Sequence, residues 1–199
     1  MLAQASVKLS IVRDLRWLTA IVALACPALA ACGGGQPHNA APSTSAVTSA
    51  FRGSPAPLAS LHGQAGQLLS GGTVAFHDRL ARLRGHPVVI NKWASWCGPC
   101  QTEFRAFQQA AVRYGRRVAF IGVDSKDHNA SAKAFLRRFP VTYPSYIDPN
   151  ASIANAIDAA QYFPQTVYIT AHGKQTFVHA GPYESAAALE RDIRSYLLR

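Results

Sequence analysis

Two cysteines, Cys97 and Cys100, stand two residues apart in the stretch W-A-S-W-C-G-P-C at 93–100. Thiols at this spacing can close a small disulfide, hold a soft metal ion or exchange disulfides with another molecule. A purely structural staple fits poorly, because the entropy that a disulfide removes from the unfolded chain grows with the loop it closes, and this loop is very short. Position favours exchange. The apolar run at 87–90 has the character of a buried strand, and helical spacing begins at Pro99, so Cys97 falls where a strand turns into a helix. A sulfur at that place meets unpaired backbone N–H groups and the positive end of the helix dipole, and both favour thiolate. Cys100 lies one turn further in, shielded from outside attack but able to reach a mixed disulfide formed at Cys97. Pro99 suits the first turn, where no N–H is needed. Metal binding is the competing chemistry. Two thiolates suit Cu(I), and the chain has seven histidines. However, His62, His77, His86, His128, His172 and His179 are scattered, none at ligand spacing from the pair, and zinc would want four ligands.

The elements that must position the pair can be read from apolar periodicity. Strands are expected at 88–91, 118–123, 145–148, 166–170 and 176–180, the last two forming a hairpin across Gly173. Helices are expected from Pro99 to Gly115, with Phe104, Phe107, Ala111 and Tyr114 on one face, and at 130–139, 153–157 and 185–198, the last opened by Ser185. The result is an α/β fold with a central mixed sheet and helices on both faces. Residues 58–74, interrupted by several glycines, suggest a small N-terminal hairpin.

The amino terminus bears on redox compartment. Lys8, Arg13 and Arg16 precede an apolar segment at 17–31 that ends L-A-A-C at Leu29 to Cys32. This is a secretory signal pattern, and the segment is shorter than the roughly 20 residues that a comfortable membrane span needs. Small residues directly before a cysteine resemble the lipobox of bacterial lipoproteins, which implies a signal peptide at 1–31 and a lipid on Cys32. With Cys26 in the leader and Cys32 carrying lipid, the pair Cys97 and Cys100 is all the thiol chemistry left to the body. Residues 32–57, opened by three glycines and rich in Ala, Pro, Ser and Thr, are expected to be a flexible tether, and 58–199 a single domain. The chain is strongly basic, with a net charge of +10. Its basic residues are dispersed, with no stripe of the kind that tracks a nucleic acid backbone, so no nucleic acid partner is expected. A basic surface also suits anionic lipid.

W-A-S-W-C-G-P-C, the preceding Asn91-x-Trp93 and F-P-Q-T at 163–166 together resemble the thioredoxin superfamily. G-H-P-V-V-I-N-K-W at 85–93, G-V-D at 122–124, T-Y-P-S-Y-I-D at 142–148 and P-Q-T-V-Y-I-T at 164–170 follow the order of its membrane-tethered TlpA/ResA/CcmG-like branch. The resemblance covers essentially the whole domain and implies a thioredoxin-like fold with a central αβ insertion between Asp124 and Pro164. It implies that Cys97 and Cys100 form the catalytic disulfide and that Pro164 is a cis-proline beside it. Trp96 and Phe163, with Pro164, would border the substrate. Glu103, in C-x-x-C-x-x-E, would handle the proton of Cys100 or simply stabilise the first turns of the helix. Asn91 stands where many thioredoxins bury an aspartate, which leaves Glu103 as the nearest acid. Lys92 replaces a usual aromatic and is expected to extend to solvent rather than act on a thiol. Arg105 replaces a frequent helix-kinking proline.

The function these features imply is an extracytoplasmic, lipid-anchored thiol-disulfide oxidoreductase of the bacterial membrane, acting on protein thiols and disulfides without a cofactor or metal. Gly98-Pro99 is the thioredoxin dipeptide and points to a reductase, near the thioredoxin potential of about −270 mV. Such a reductase needs a membrane electron donor, as in relatives that reduce apocytochrome c before haem attachment. The alternatives are an oxidase of secreted proteins on the same fold and a Cu(I) chaperone. A peroxidase of the peroxiredoxin type is disfavoured by Ala94, three before Cys97, where that chemistry puts a hydroxyl.

Overall fold

The computed structural model of the chain describes residues 42–198. In chain order the elements are α1 (Thr44–Phe51), α2 (Ala56–His62), β1 (Leu68–Leu69), α3 (Gly72–Arg82), β2 (Val88–Trp93), α4 (Gly98–Tyr114), β3 (Ala119–Ser125), α5 (Asn129–Arg138), β4 (Ser145–Asp148), α6 (Ser152–Ala156), β5 (Gln165–Ile169), β6 (Gln175–Ala180) and α7 (Ala186–Leu197). Among the described residues the strands form one mixed sheet in the order β1-β4-β3-β2-β5-β6. β2 runs parallel to β3, with Val89 opposite Phe120, and antiparallel to β5, with Lys92 opposite Gln165. This is the thioredoxin-like arrangement that the motifs imply, and the interval between β3 and β5 holds α5, β4 and α6, one helix and one strand more than a single connecting helix.

β2 and β3 are buried along their whole length, as expected for strands covered on both faces. Side-chain alternation divides β2 between two cores. Val89 and Trp93 pack with Phe104 and Phe107 of α4, Phe135 of α5 and Leu189 and Ile193 of α7. Val88 and Ile90 pack on the other face with Leu58 and Leu61 of α2, Phe76 of α3 and Ile153 of α6. Trp93 is fully buried and donates its indole N–H to Ser145 Oγ at 3.1 Å. Gly122 makes room for that bond, since a Cβ there would fall 2.0 Å from Ser145 Oγ and 3.0 Å from Trp93 Nε1.

The amino-terminal part of the domain departs from expectation. Residues 58–74 do not form a hairpin. They comprise most of α2, the short β1, which pairs in parallel with β4, and the first turn of α3. Gly71 and Gly72, with φ of 103° and 59°, open a helix instead of turning a hairpin. Apolar residues at helical spacing, Phe76, Leu80 and Leu83, then fasten α3 to the sheet. α1 and the start of α2 fall inside the stretch expected as tether. Ser43 caps α1 by accepting the Ala46 N–H, and Phe51 stacks on His62 with ring centroids 3.6 Å apart. The proposed signal segment and Cys32 lie outside the described residues.

Candidate active site around Cys97 and Cys100

Cys97 is the N-cap of α4. Its backbone is extended, at φ −84° and ψ 104°, and its Sγ accepts the Cys100 N–H at 3.1 Å. The sulfur thus occupies the place that a serine or aspartate oxygen fills in ordinary caps. Pro99 sits in the first turn, and α4 then runs unbroken to Tyr114, Arg105 included. The two cysteines are joined in a disulfide, with Cα atoms 5.3 Å apart. Cys97 is 3 % exposed and Cys100 0 %, so the order of accessibility is the expected one, by a small margin.

Glu103 follows Cys100 by three residues, on the same face of α4. It lies within the core, fully buried. One oxygen accepts the Tyr183 N–H at 3.2 Å, and the Asn91 side chain of β2 faces it. Burial raises its pKa to about 8 against the lowering effect of those two groups. A carboxyl that titrates near the pH of use is suited to moving a proton to and from a neighbouring thiol. Tyr143 is also buried against Asn91, and burial pushes its hydroxyl well above the ordinary tyrosine range.

The loop before Cys97 is held by the segment after β3. Asp127 accepts the Ser95 N–H at 2.5 Å through one oxygen, and the Ser95 hydroxyl at 2.9 Å and the His128 N–H at 2.7 Å through the other. Burial works to raise the Asp127 pKa, but the bonds from Ser95, His128 and Asp124 outweigh it and the net shift is downward. Asp124, buried behind it, is pushed up to about 8 by burial and then by Asp127 and Asp148. Trp96 donates its indole N–H to the Lys126 carbonyl at 2.9 Å, while the residue stays 58 % exposed.

A second segment meets this loop. The Phe163–Pro164 peptide is cis and leads into β5. The Phe163 ring lies 4.7 Å from that of Trp96, and Tyr162 beside it is 60 % exposed. Trp96, the residue that precedes Cys97, and the Phe163–Pro164 segment are therefore brought together. Lys92 does not extend to solvent. It is fully buried, its Nζ lies 3.2 Å from the centre of the Phe163 ring, and it donates to the Tyr162 carbonyl. Burial, then the charge of Lys126, lowers its pKa to about 8 against the opposing pull of Asp148. The reason for this correction is positional: β2 is central and covered on both faces, so a side chain there has no path to water.

Sequence reasoning did not single out Tyr162, Asp124, Asp127 or Tyr183. Asp124 and Asp127 lie at and just after the carboxyl end of β3, the end where parallel sheets place their functional groups, and that signal could have found them. Tyr183 reaches the site through its backbone N–H, which no side-chain pattern announces. Among the described residues, no group of three or more His, Cys, Asp or Glu is placed to hold a metal ion.

A family model described as Redoxin matches residues 52–193. The thiol-disulfide oxidoreductase ResA of Geobacillus kaustophilus is 30% identical over 118 residues, 59% of this chain and 67% of that protein. The thiol:disulfide interchange protein DsbE of Pseudomonas fluorescens is 33% identical over 96 residues, 47% of this chain and 51% of that one. ResA of Halalkalibacterium halodurans, 27% identical, is covered over 58% of its length, so the chain spans roughly half to two thirds of the curated relatives it matches. The crystal structure of a DsbF homologue from Corynebacterium diphtheriae superposes with a TM-score of 0.54 at 27% identity, over 58% of this chain and 75% of that one. Because the family model spans well over half of its length, the chain belongs to the Redoxin family, within the thioredoxin superfamily and on its ResA- and DsbE-like side.

Proposed function

We propose that this protein is a thiol-disulfide oxidoreductase that exchanges disulfides with protein substrates through Cys97 and Cys100. The observation that carries the reading is the placement of Cys97 Sγ as the cap of α4, with a buried carboxyl, Glu103, one turn beyond Cys100. In the reducing direction the Cys97 thiolate attacks one sulfur of a substrate disulfide and releases the other as a thiolate. The Cys100 thiol, its proton taken by Glu103 in its ionised form, then attacks Cys97 Sγ. This closes Cys97–Cys100 and frees the second substrate sulfur as a thiolate, so two electrons pass to the substrate, the Cys100 proton rests on Glu103, and the two substrate thiolates take their protons from solvent. The oxidising direction is the same sequence reversed. Trp96, Phe163 and Pro164 form the surface on which the substrate rests.

The direction we favour is reduction, on the strength of Gly98-Pro99. The setting we favour is extracytoplasmic, with a cleaved signal peptide at 1–31 and a lipid anchor on Cys32. Among the described residues no helix is long and apolar enough to cross a membrane. Electrons would return from a membrane donor, and apocytochrome c cysteines are one substrate class that fits. The test is the equilibrium of the Cys97–Cys100 couple against glutathione and dithiothreitol, together with turnover of a disulfide-bearing protein. A potential well below about −180 mV supports the reductase, and one above it supports an oxidase of secreted proteins. Absence of exchange in both directions refutes the oxidoreductase reading.

A further inference from the structure

A buried lysine near the carboxyl end of a central strand is expensive, because burying an ammonium costs far more than burying the apolar residue that could stand there. Lys92 recovers part of that cost from one place. Its Nζ donates to the Tyr162 carbonyl and lies 3.2 Å above the centre of the Phe163 ring, an attraction between a cation and an aromatic face. Gln165, opposite Lys92 in the β2–β5 register, closes the same segment by accepting the Tyr162 N–H at 3.0 Å through Oε1. Tyr162 is thus held at both its N–H and its carbonyl, by two side chains from adjacent strands. The result is an aromatic shelf: Trp96, tied to the Lys126 carbonyl, meets Phe163, and the residues Trp96 and Tyr162 stand 58 % and 60 % exposed. Val74 is the one other large hydrophobic side chain so exposed among the described residues, and it lies on α3. The charges acting on Lys92 are Lys126, which opposes its ammonium, and Asp148, which favours it.

We propose that Lys92 is a positioning residue that holds Tyr162 and Phe163 as a docking shelf for polypeptide substrates carrying an apolar or aromatic side chain next to the reacting cysteine. The proposal rests on the oxidoreductase reading and adds to it a determinant of substrate class. The shelf contributes to binding and not to the sulfur chemistry, so a peptide and a small disulfide should respond differently when Lys92 is changed.

The test compares wild type with Lys92→Met, which keeps chain length but removes charge and donor, on two substrates: a short peptide disulfide with tryptophan beside the cysteine, and oxidised glutathione. The expected result is a KM for the peptide raised about tenfold, with its kcat and the glutathione rate held within about twofold. Lys92→Gln, which retains an N–H donor, should recover part of the loss. The independent readout is the NMR signals of the Trp96 indole N–H and the Tyr162 and Gln165 amides, which should shift or broaden in Lys92→Met. Equal losses on both substrates, or unchanged KM values, overturn the proposal. Should Lys92→Met not fold, Lys92→Leu takes its place with the same readouts, since an apolar side chain of similar size suits a strand buried on both faces. Should the wild type exchange with neither substrate, the oxidoreductase reading is refuted on its own, and unmoved Trp96 and Tyr162 signals would separately refute the positioning role.

Discussion

Replacing Glu103 by Gln removes an ionisable group from the core with little change in shape, and the structure sets both the size and the sign of the effect on stability. Burial raises the Glu103 pKa from its ordinary 4.5 to about 8, so between those values the folded protein holds a proton that the unfolded chain has released. Unfolding stability therefore falls as pH rises through that window, and above pH 8 the full cost of the buried carboxylate is present. At about 1.4 kcal/mol per pKa unit, the contribution is on the order of 5 kcal/mol. The assay is urea denaturation of the disulfide form of both proteins at intervals from about pH 5 to about pH 9, monitored by circular dichroism. Near the acidic end the two proteins should be close in stability, since a protonated Glu and a Gln present similar groups to Tyr183 and Asn91. The Gln variant should then gain steadily on the wild type, by several kcal/mol at the alkaline end. Asp124, also raised to about 8, is common to both proteins and leaves a residual slope in each without altering the difference. A stability difference independent of pH, or one that shrinks as pH rises, would refute the assignment of Glu103 as a proton-holding core residue.

The order of attack at the disulfide predicts that Cys100→Ser accumulates mixed disulfides through Cys97, whereas Cys97→Ser accumulates almost none. Mass spectrometry after incubation with a disulfide-bearing protein reads this directly. Gly122→Ala should destabilise the fold by about 1–3 kcal/mol, because the new methyl lies 2.0 Å from Ser145 Oγ and must break the Trp93 bond or push β4 away; the shift in urea midpoint measures it. Cys32→Ala should leave the redox domain folded but move it from the membrane to the soluble fraction, and retention of the variant in membranes would place the anchor elsewhere.

The pair, its helix and the strands on either side were legible because each rests on a local signal: an apolar run for β2, a 3.6-residue repeat for α4, a serine cap for α7. The cis-proline segment was legible through resemblance, with Phe163 and Pro164 falling within a motif. The features that escaped notice depend on contacts between distant segments. Lys92 looks like a surface residue in one dimension, and only the pairing of β2 with β5 shows that its amine meets Tyr162 and Phe163. α1 resembles linker sequence because its composition is small and polar, and a single aromatic, Phe51, secures it through His62. α3 was hidden by Gly71-Gly72, since the backbone conformation that glycine supplies serves a helix entry as well as a hairpin turn.

That the atom capping α4 is also the atom that reacts ties helix stability to electron count. As a thiolate, Cys97 Sγ is a charged acceptor for the Cys100 N–H, and in the disulfide it is a neutral and much weaker one. The first turn of α4 is therefore better fastened in the dithiol form, and every increment by which it is better fastened favours the dithiol and raises the midpoint potential by about 30 mV per 1.4 kcal/mol. The cap thus opposes the strongly reducing character that Gly98-Pro99 suggests, while the cost of ionising Glu103 in the core bears on the proton that Cys100 must lose. Lengthening or fraying one helical turn would be a way to retune this couple without touching either sulfur.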